Sequence, residues 1–111
     1  ARGVAWLSFE ELCERPLGAE DYLAVAQRYH TLIMDGVPSL DASKRNEAKR
    51  FMTLIDALYE AKVHLILAAV ALPDEIYASG SHAFEFQRTA SRLTEMQSPE
   101  YIDTPHRYAA A

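Results

Sequence analysis

Apolar residues recur every three or four positions in parts of this chain and run almost unbroken in others. The strongest periodic stretch carries Ala48, Phe51, Met52, Ile55, Leu58 and Tyr59 on one face. It predicts a long amphipathic helix from Ala42 or Asn46 to Ala61. Tyr22, Val25, Ala26 and Tyr29 share a face in the same way and predict a helix over 19–28. Glu20 and Asp21 suit its first turn, where the helix dipole favours acids. The two unbroken runs are Thr31 to Met34 and Val63 to Val70, both strand-sized. Asp35, Gly36, Val37 and Pro38 predict a turn after the first run. The second, reading VHLILAAV, predicts a strand buried on both faces.

Punctuation residues complete the outline. Ser8 and Glu11 have the spacing of a capping box and predict a short helix over 9–14. Arg15-Pro16 breaks it, and Gly18 permits a turn. Pro73 opens a helical turn reading PDEIY, and 78–81 reads as a loop. Ser81 or His82 caps a last helix over 83–97, which Pro99 ends. The tail after Tyr101 is expected to be irregular. Strand, helix, strand makes a βαβ unit, parallel, with a right-handed crossover. The expected fold class is therefore α/β: a parallel βαβ unit of two or more strands flanked by helices. It forms a single segment over 1–111. Two strands make a thin sheet, so further strands are expected from other sequence or from a partner.

Composition narrows the function classes. The 111 residues are enough for one domain, and half of them are hydrophobic, so a core can form. A formal net charge of −5 argues against broad binding to nucleic-acid phosphates. No apolar run is long enough to span a membrane. Cys13 is the only cysteine, which excludes an internal disulfide and points to a reducing compartment.

Little in the chain has the spacing of a catalytic motif. A phosphate loop needs glycines leading into Gly-Lys-Ser/Thr. Here none of Gly3, Gly18, Gly36 and Gly80 precedes a lysine, so the chain alone is not expected to hydrolyse ATP. His30, His64, His82 and His106 lack the i, i+4 spacing of a helical metal site. His30 and His64 lie near strand starts and are expected to be hydrogen-bonded boundary residues. Cys13 is expected to be a small buried residue. Arg88 and Arg92 lie four apart on one helix face, flanked by Glu85 and Glu95. They read either as a solvated salt-bridge face or as a fork aimed at a nucleotide phosphate or a neighbouring subunit. Lys44, Arg45, Lys49 and Arg50 cluster at the start of the long helix, the wrong end for its dipole. Glu47 or an anionic partner would compensate them.

The order of the pieces carries a resemblance. Apolar strand, Asp35, long helix, apolar strand, Pro73 and Ile76 is similar to the second half of an AAA+ nucleotide-binding core. There, an acid at a strand end helps to hold magnesium. Gly36 stands where that pattern has a second acid, so the residues themselves read as a turn capped by Asp35. More specifically, the chain from Gly3 to His106 resembles the C-terminal region of the ZapE/AFG-type ATPases. The resemblance rests on Val4-Ala5-Trp6, Phe9-Glu10-Glu11-Leu12-Cys13, Pro16-Leu17-Gly18, Arg50-Phe51, Leu54-Ile55-Asp56 and Tyr59. It is strongest over Phe84-Glu85-Phe86, Arg88-Thr89, Ser91-Arg92-Leu93 and Glu95-Met96-Gln97-Ser98.

The resemblance implies a P-loop ATPase with a cell-division or protein quality-control role. It implies a cytoplasmic place in bacteria, or a peripheral one at an inner membrane. ATP and magnesium would serve the full-length protein, and no cofactor is expected for this fragment alone. The implied partners are an N-terminal ATPase half, further copies, and a division-ring or client protein. Arg50, Arg88, Ser91 and Arg92 map onto motif positions and are the nucleotide or subunit-interface candidates; no catalytic or metal residue is assigned. The alternative is a non-catalytic interaction domain that binds the division machinery or a client.

Overall fold

The computed structural model describes residues 3–69, 72–77 and 83–107. The expected loop over 78–81 and the Ser81 or His82 cap lie outside them. Three strands form the sheet: β1 (Val4–Ser8), β2 (Thr31–Val37) and β3 (His64–Ala69). Their order is β1-β2-β3 and both pairings are parallel. The helices are α1 (Ala19–Arg28), α2 (Arg45–Ala61), α3 (Ala83–Glu95) and α4 (Pro99–Asp103). The expected parallel α/β unit is present, with one strand more than the apolar runs had marked.

That strand is β1. It is short, and Val4-Ala5-Trp6-Leu7-Ser8 lacks a continuous β-branched run. Pairing supplies what propensity does not: Val4 to Ser8 lie in register with Thr31 to Asp35. The capping box predicted at its end is real. Ser8 N–H donates to Glu11 Oε1 at 3.0 Å, and Glu11 N–H donates to Ser8 Oγ at 3.1 Å. Residues 10–14 form one wide π-helical turn, and Phe9 and Cys13 are fully buried.

Three expectations need correction. The turn placed at Asp35-Gly36 is instead strand: β2 continues to Val37 through an irregularity between Met34 and Val37, with Gly36 at φ +71°. A glycine accepts that conformation without Cβ strain. Asp35 therefore caps no turn; it accepts a hydrogen bond from Trp6 Nε1 at 2.8 Å. Next, β3 is not buried on both faces. Leu65 and Leu67 pack on the core, whereas Ile66 is 57% exposed. Finally, helix continues two residues past Tyr101, to Asp103, and the irregular part of the described tail is 104–107. Pro99 stops α3 and also opens α4, where its missing N–H is not needed. Ser98 Oγ accepts from Tyr101 N–H at 3.2 Å and caps that helix.

The core lies on one side of the sheet. Leu32 and Met34 of β2 face Phe51, Leu54, Ile55 and Leu58 of α2, all fully buried. Each such side chain contributes about 1.5–3 kcal/mol relative to an exposed one. Phe9, Phe51, Phe86 and Tyr77 form an aromatic line with ring centroids 5.7–6.0 Å apart, joining the start of the π turn, α2, α3 and the residues just after the 3-10 turn over Pro73–Glu75. At its far end α2 closes through Lys62, left-handed at φ 60°. Val63 N–H returns to Leu58 O and Lys62 N–H to Tyr59 O, a Schellman closure.

Candidate functional site

The four candidate residues fall on two helices. Arg50 starts from the first half of α2; Arg88, Ser91 and Arg92 come from α3. Apolar spacing orients both helices. Burial of Phe51, Leu54, Ile55 and Leu58 turns Asp56 and Tyr59 toward one edge of α2. Burial of Phe86, Ala90 and Leu93 turns Arg88 and Arg92 toward that same edge.

There they meet. Arg92 Nη1 is bonded to Asp56 Oδ1, and Arg88 Nη2 reaches Asp56 Oδ2 at 3.3 Å. The Arg92 guanidinium also lies over the Tyr59 ring, 4.7 Å from its centroid. The Lys62 ammonium lies 4.5 Å from the same centroid. Two cations thus approach one ring, whose quadrupole attracts both. The Tyr59 hydroxyl donates to Glu95, at 2.9 Å from either carboxylate oxygen. That hydrogen bond is the main reason the Tyr59 pKa is raised, with burial second.

The arginines are not equivalent. Arg92 is 23% exposed and held by a carboxylate and a ring. Arg88 is 68% exposed and makes a longer bond to the same carboxylate. Glu95, expected to pair with an arginine on its own helix, instead accepts from Tyr59. The ion pairs that Arg88 and Arg92 make with Asp56 therefore cross between helices.

Arg50 and Ser91 stand apart from this cluster. Arg50 Nη1 donates to the Cys13 carbonyl at 3.0 Å, tying α2 to the π turn. Beside it, Lys49, Asn46, Gly18 and Tyr22 line a cleft of about 260 Å³. The Cys13 thiol is pushed up to about 12 by burial, partly opposed by the Arg50 charge. It is an inert core residue, as expected. Ser91 lines a separate apolar groove of about 660 Å³ with Leu72, Tyr77, Phe84 and Phe86. His64 Nε2 lies 2.9 Å from Ile102 O and His30 Nδ1 lies 2.7 Å from Thr31 Oγ1, so both are bonded boundary residues.

Sequence reasoning missed the residues that organise the cluster. Asp56 and Tyr59 are three apart on a helix whose other repeating positions are apolar. That polar edge on an apolar helix was the available signal. The described residues do not form a magnesium site. Asp35, two residues before the carboxyl end of β2, is engaged by Trp6. Among the described residues no three His, Cys, Asp or Glu side chains converge on a metal position. No helix among them is long and apolar enough to cross a membrane.

Fold and cluster together define a parallel α/β segment whose arginines lock its helices. The sequence profile described as AFG1-like ATPase matches residues 1–105. The chain belongs to that family. It is 40% identical to the cell division protein ZapE of Escherichia coli K12, over 90% of this chain and 27% of that protein. It is 36% identical to lactation elevated protein 1 homolog B of Danio rerio, over 88% of this chain and 26% of that protein. The chain thus spans about a quarter of the length of these relatives. No solved structure matches it.

Proposed function

We propose that this chain is the C-terminal supporting segment of an AFG1-like P-loop ATPase. ATP would be hydrolysed by the whole protein and not by these residues alone. One observation carries the reading: the family profile covers 1–105, yet no glycine in the chain leads into a lysine. The atoms that would grip phosphate belong elsewhere in the polypeptide.

In this reading the arginines divide the work. Arg92, held by Asp56 and Tyr59, positions the α2–α3 joint. Arg88, mostly in solvent, is the guanidinium available to a nucleotide phosphate or a neighbouring subunit. The name of the E. coli relative supports a cell-division role.

The test joins this chain to the remainder of the E. coli relative and follows phosphate release. Arg88→Ala should lower turnover at least about tenfold, a modest share of what an arginine contributes at a transferring phosphate. Circular dichroism should stay unchanged, and the 111 residues alone should release no phosphate. Unchanged turnover in Arg88→Ala would reject the role of Arg88. Turnover by the chain alone would reject the reading altogether.

A further inference from the structure

The sheet has two faces with different surroundings. Ala5, Leu7, Leu32, Met34, Leu65 and Leu67 point to the helices. The alternate positions point the other way. There Trp6, Ile33 and Ile66 lie side by side, because Trp6 pairs with Ile33 and Ile33 with Ile66 in strand register. Trp6 is 69% and Ile66 57% exposed, so no described element covers this row. The bare face follows from topology. Strand order β1-β2-β3 with right-handed crossovers places α1 and α2 on the same side. Purely parallel sheets are otherwise covered on both faces.

We infer that this face is the seat of an apolar helix supplied by the part of the ATPase polypeptide outside the matched region. The inference rests on the reading of the chain as part of a longer ATPase. Three observations select that occupant. The face is three strands wide, about 15 Å, which suits one helix of about 10 Å diameter. At five residues long it offers only about 250 Å² in projection, short of the roughly 800 Å² per partner that holds a free protein or second copy. A helix tethered in the same polypeptide needs no such area, because its effective concentration is high. And the matched region is 26% and 27% of the two relatives' lengths, so most of each polypeptide lies outside it.

The Trp6 indole is prepared for such a contact. Its Nε1 already donates to Asp35 at 2.8 Å, so docking buries the ring without orphaning its N–H.

Hydroxyl-radical footprinting read on the Trp6 peptide tests this. Trp6 is the sole tryptophan of the chain. In the polypeptide that joins this chain to the remainder of the E. coli relative, Trp6 should oxidise roughly tenfold more slowly than in urea, in proportion to lost surface. In the 111-residue chain it should oxidise nearly as fast as in urea. Ile66→Lys should lower Tm in the joined polypeptide and leave it unchanged in the 111 residues. Rapid oxidation of Trp6 in the native joined polypeptide overturns the inference. So does a 111-residue chain that sediments as a dimer with Trp6 protected. Phosphate release from the same joined polypeptide separates the two readings. Turnover with an exposed Trp6 sinks the docking helix alone, and a protected Trp6 without turnover sinks the ATPase reading alone.

Discussion

Replacing Arg92 by methionine removes a charge while keeping most of the aliphatic stem. Two interactions go with it. The bond to Asp56 is charge-assisted, a class worth about 1.5–3 kcal/mol when well buried. Here the side chains are 23% and 35% exposed, so water screens part of it and about 1 kcal/mol remains. The guanidinium over Tyr59 adds roughly 0.5–1 kcal/mol. The variant should therefore lose about 1.5–2 kcal/mol, or on the order of 10 °C in Tm for a chain of this size. Urea unfolding followed by far-ultraviolet circular dichroism is the suitable assay, because Trp6 is already solvent-exposed and reports folding poorly. A double-mutant cycle with Asp56→Asn isolates the pair and should show about 1 kcal/mol of coupling. Arg88→Met, at the exposed end of the same carboxylate, should lose no more than about 0.5 kcal/mol. Coupling between Arg92 and Asp56 below about 0.3 kcal/mol would refute the joint, since independent sites add within that margin.

Three further outcomes follow from buried polar groups. Tyr101→Phe should destabilise by about 1–2 kcal/mol in urea unfolding, because its buried hydroxyl donates to Val63 O at 2.7 Å and shares Leu58 O at 3.3 Å. Thr89→Val should stabilise by about 1 kcal/mol, because Thr89 Oγ1 is buried without a hydrogen-bond partner among the described residues and valine keeps its shape; an unchanged or lower Tm would refute this. Burial raises Cys13 from 9.0 to about 12 and Tyr22 from 10.0 to about 12. The unfolded chain therefore loses these protons first as pH rises, and stability should fall between pH 9 and 12. Cys13→Ala should fall less steeply over that range, and equal slopes would refute the assignment.

Much of the fold was legible along the chain. Apolar spacing located α1 and α2, and Pro99 marked the end of α3, each to within a few residues; the Ser8–Glu11 spacing announced a capping interaction that is present. These features were readable because their causes are local. A helix face is set by residues three and four apart, and a cap by residues three apart. β1 was not readable, because a short strand with weak propensity becomes one by pairing with a neighbour nearly thirty residues away. The turn expected at Asp35-Gly36 failed for the same reason: pairing on both sides carries β2 through a glycine that would otherwise end it.

The candidate arginines show the same division. Their residue types and four-residue spacing put Arg88 and Arg92 on one helix face before any coordinates. Which anion they meet depended on how α3 packs on α2, and that packing brought both to Asp56. Periodicity along the chain thus pointed to the α/β class. Packing settled which arginine is clamped, which is exposed, and which sheet face no described element covers. Chain-local patterns encode which side of an element is apolar. Only the arrangement of elements in space determines what that side, or its opposite, meets.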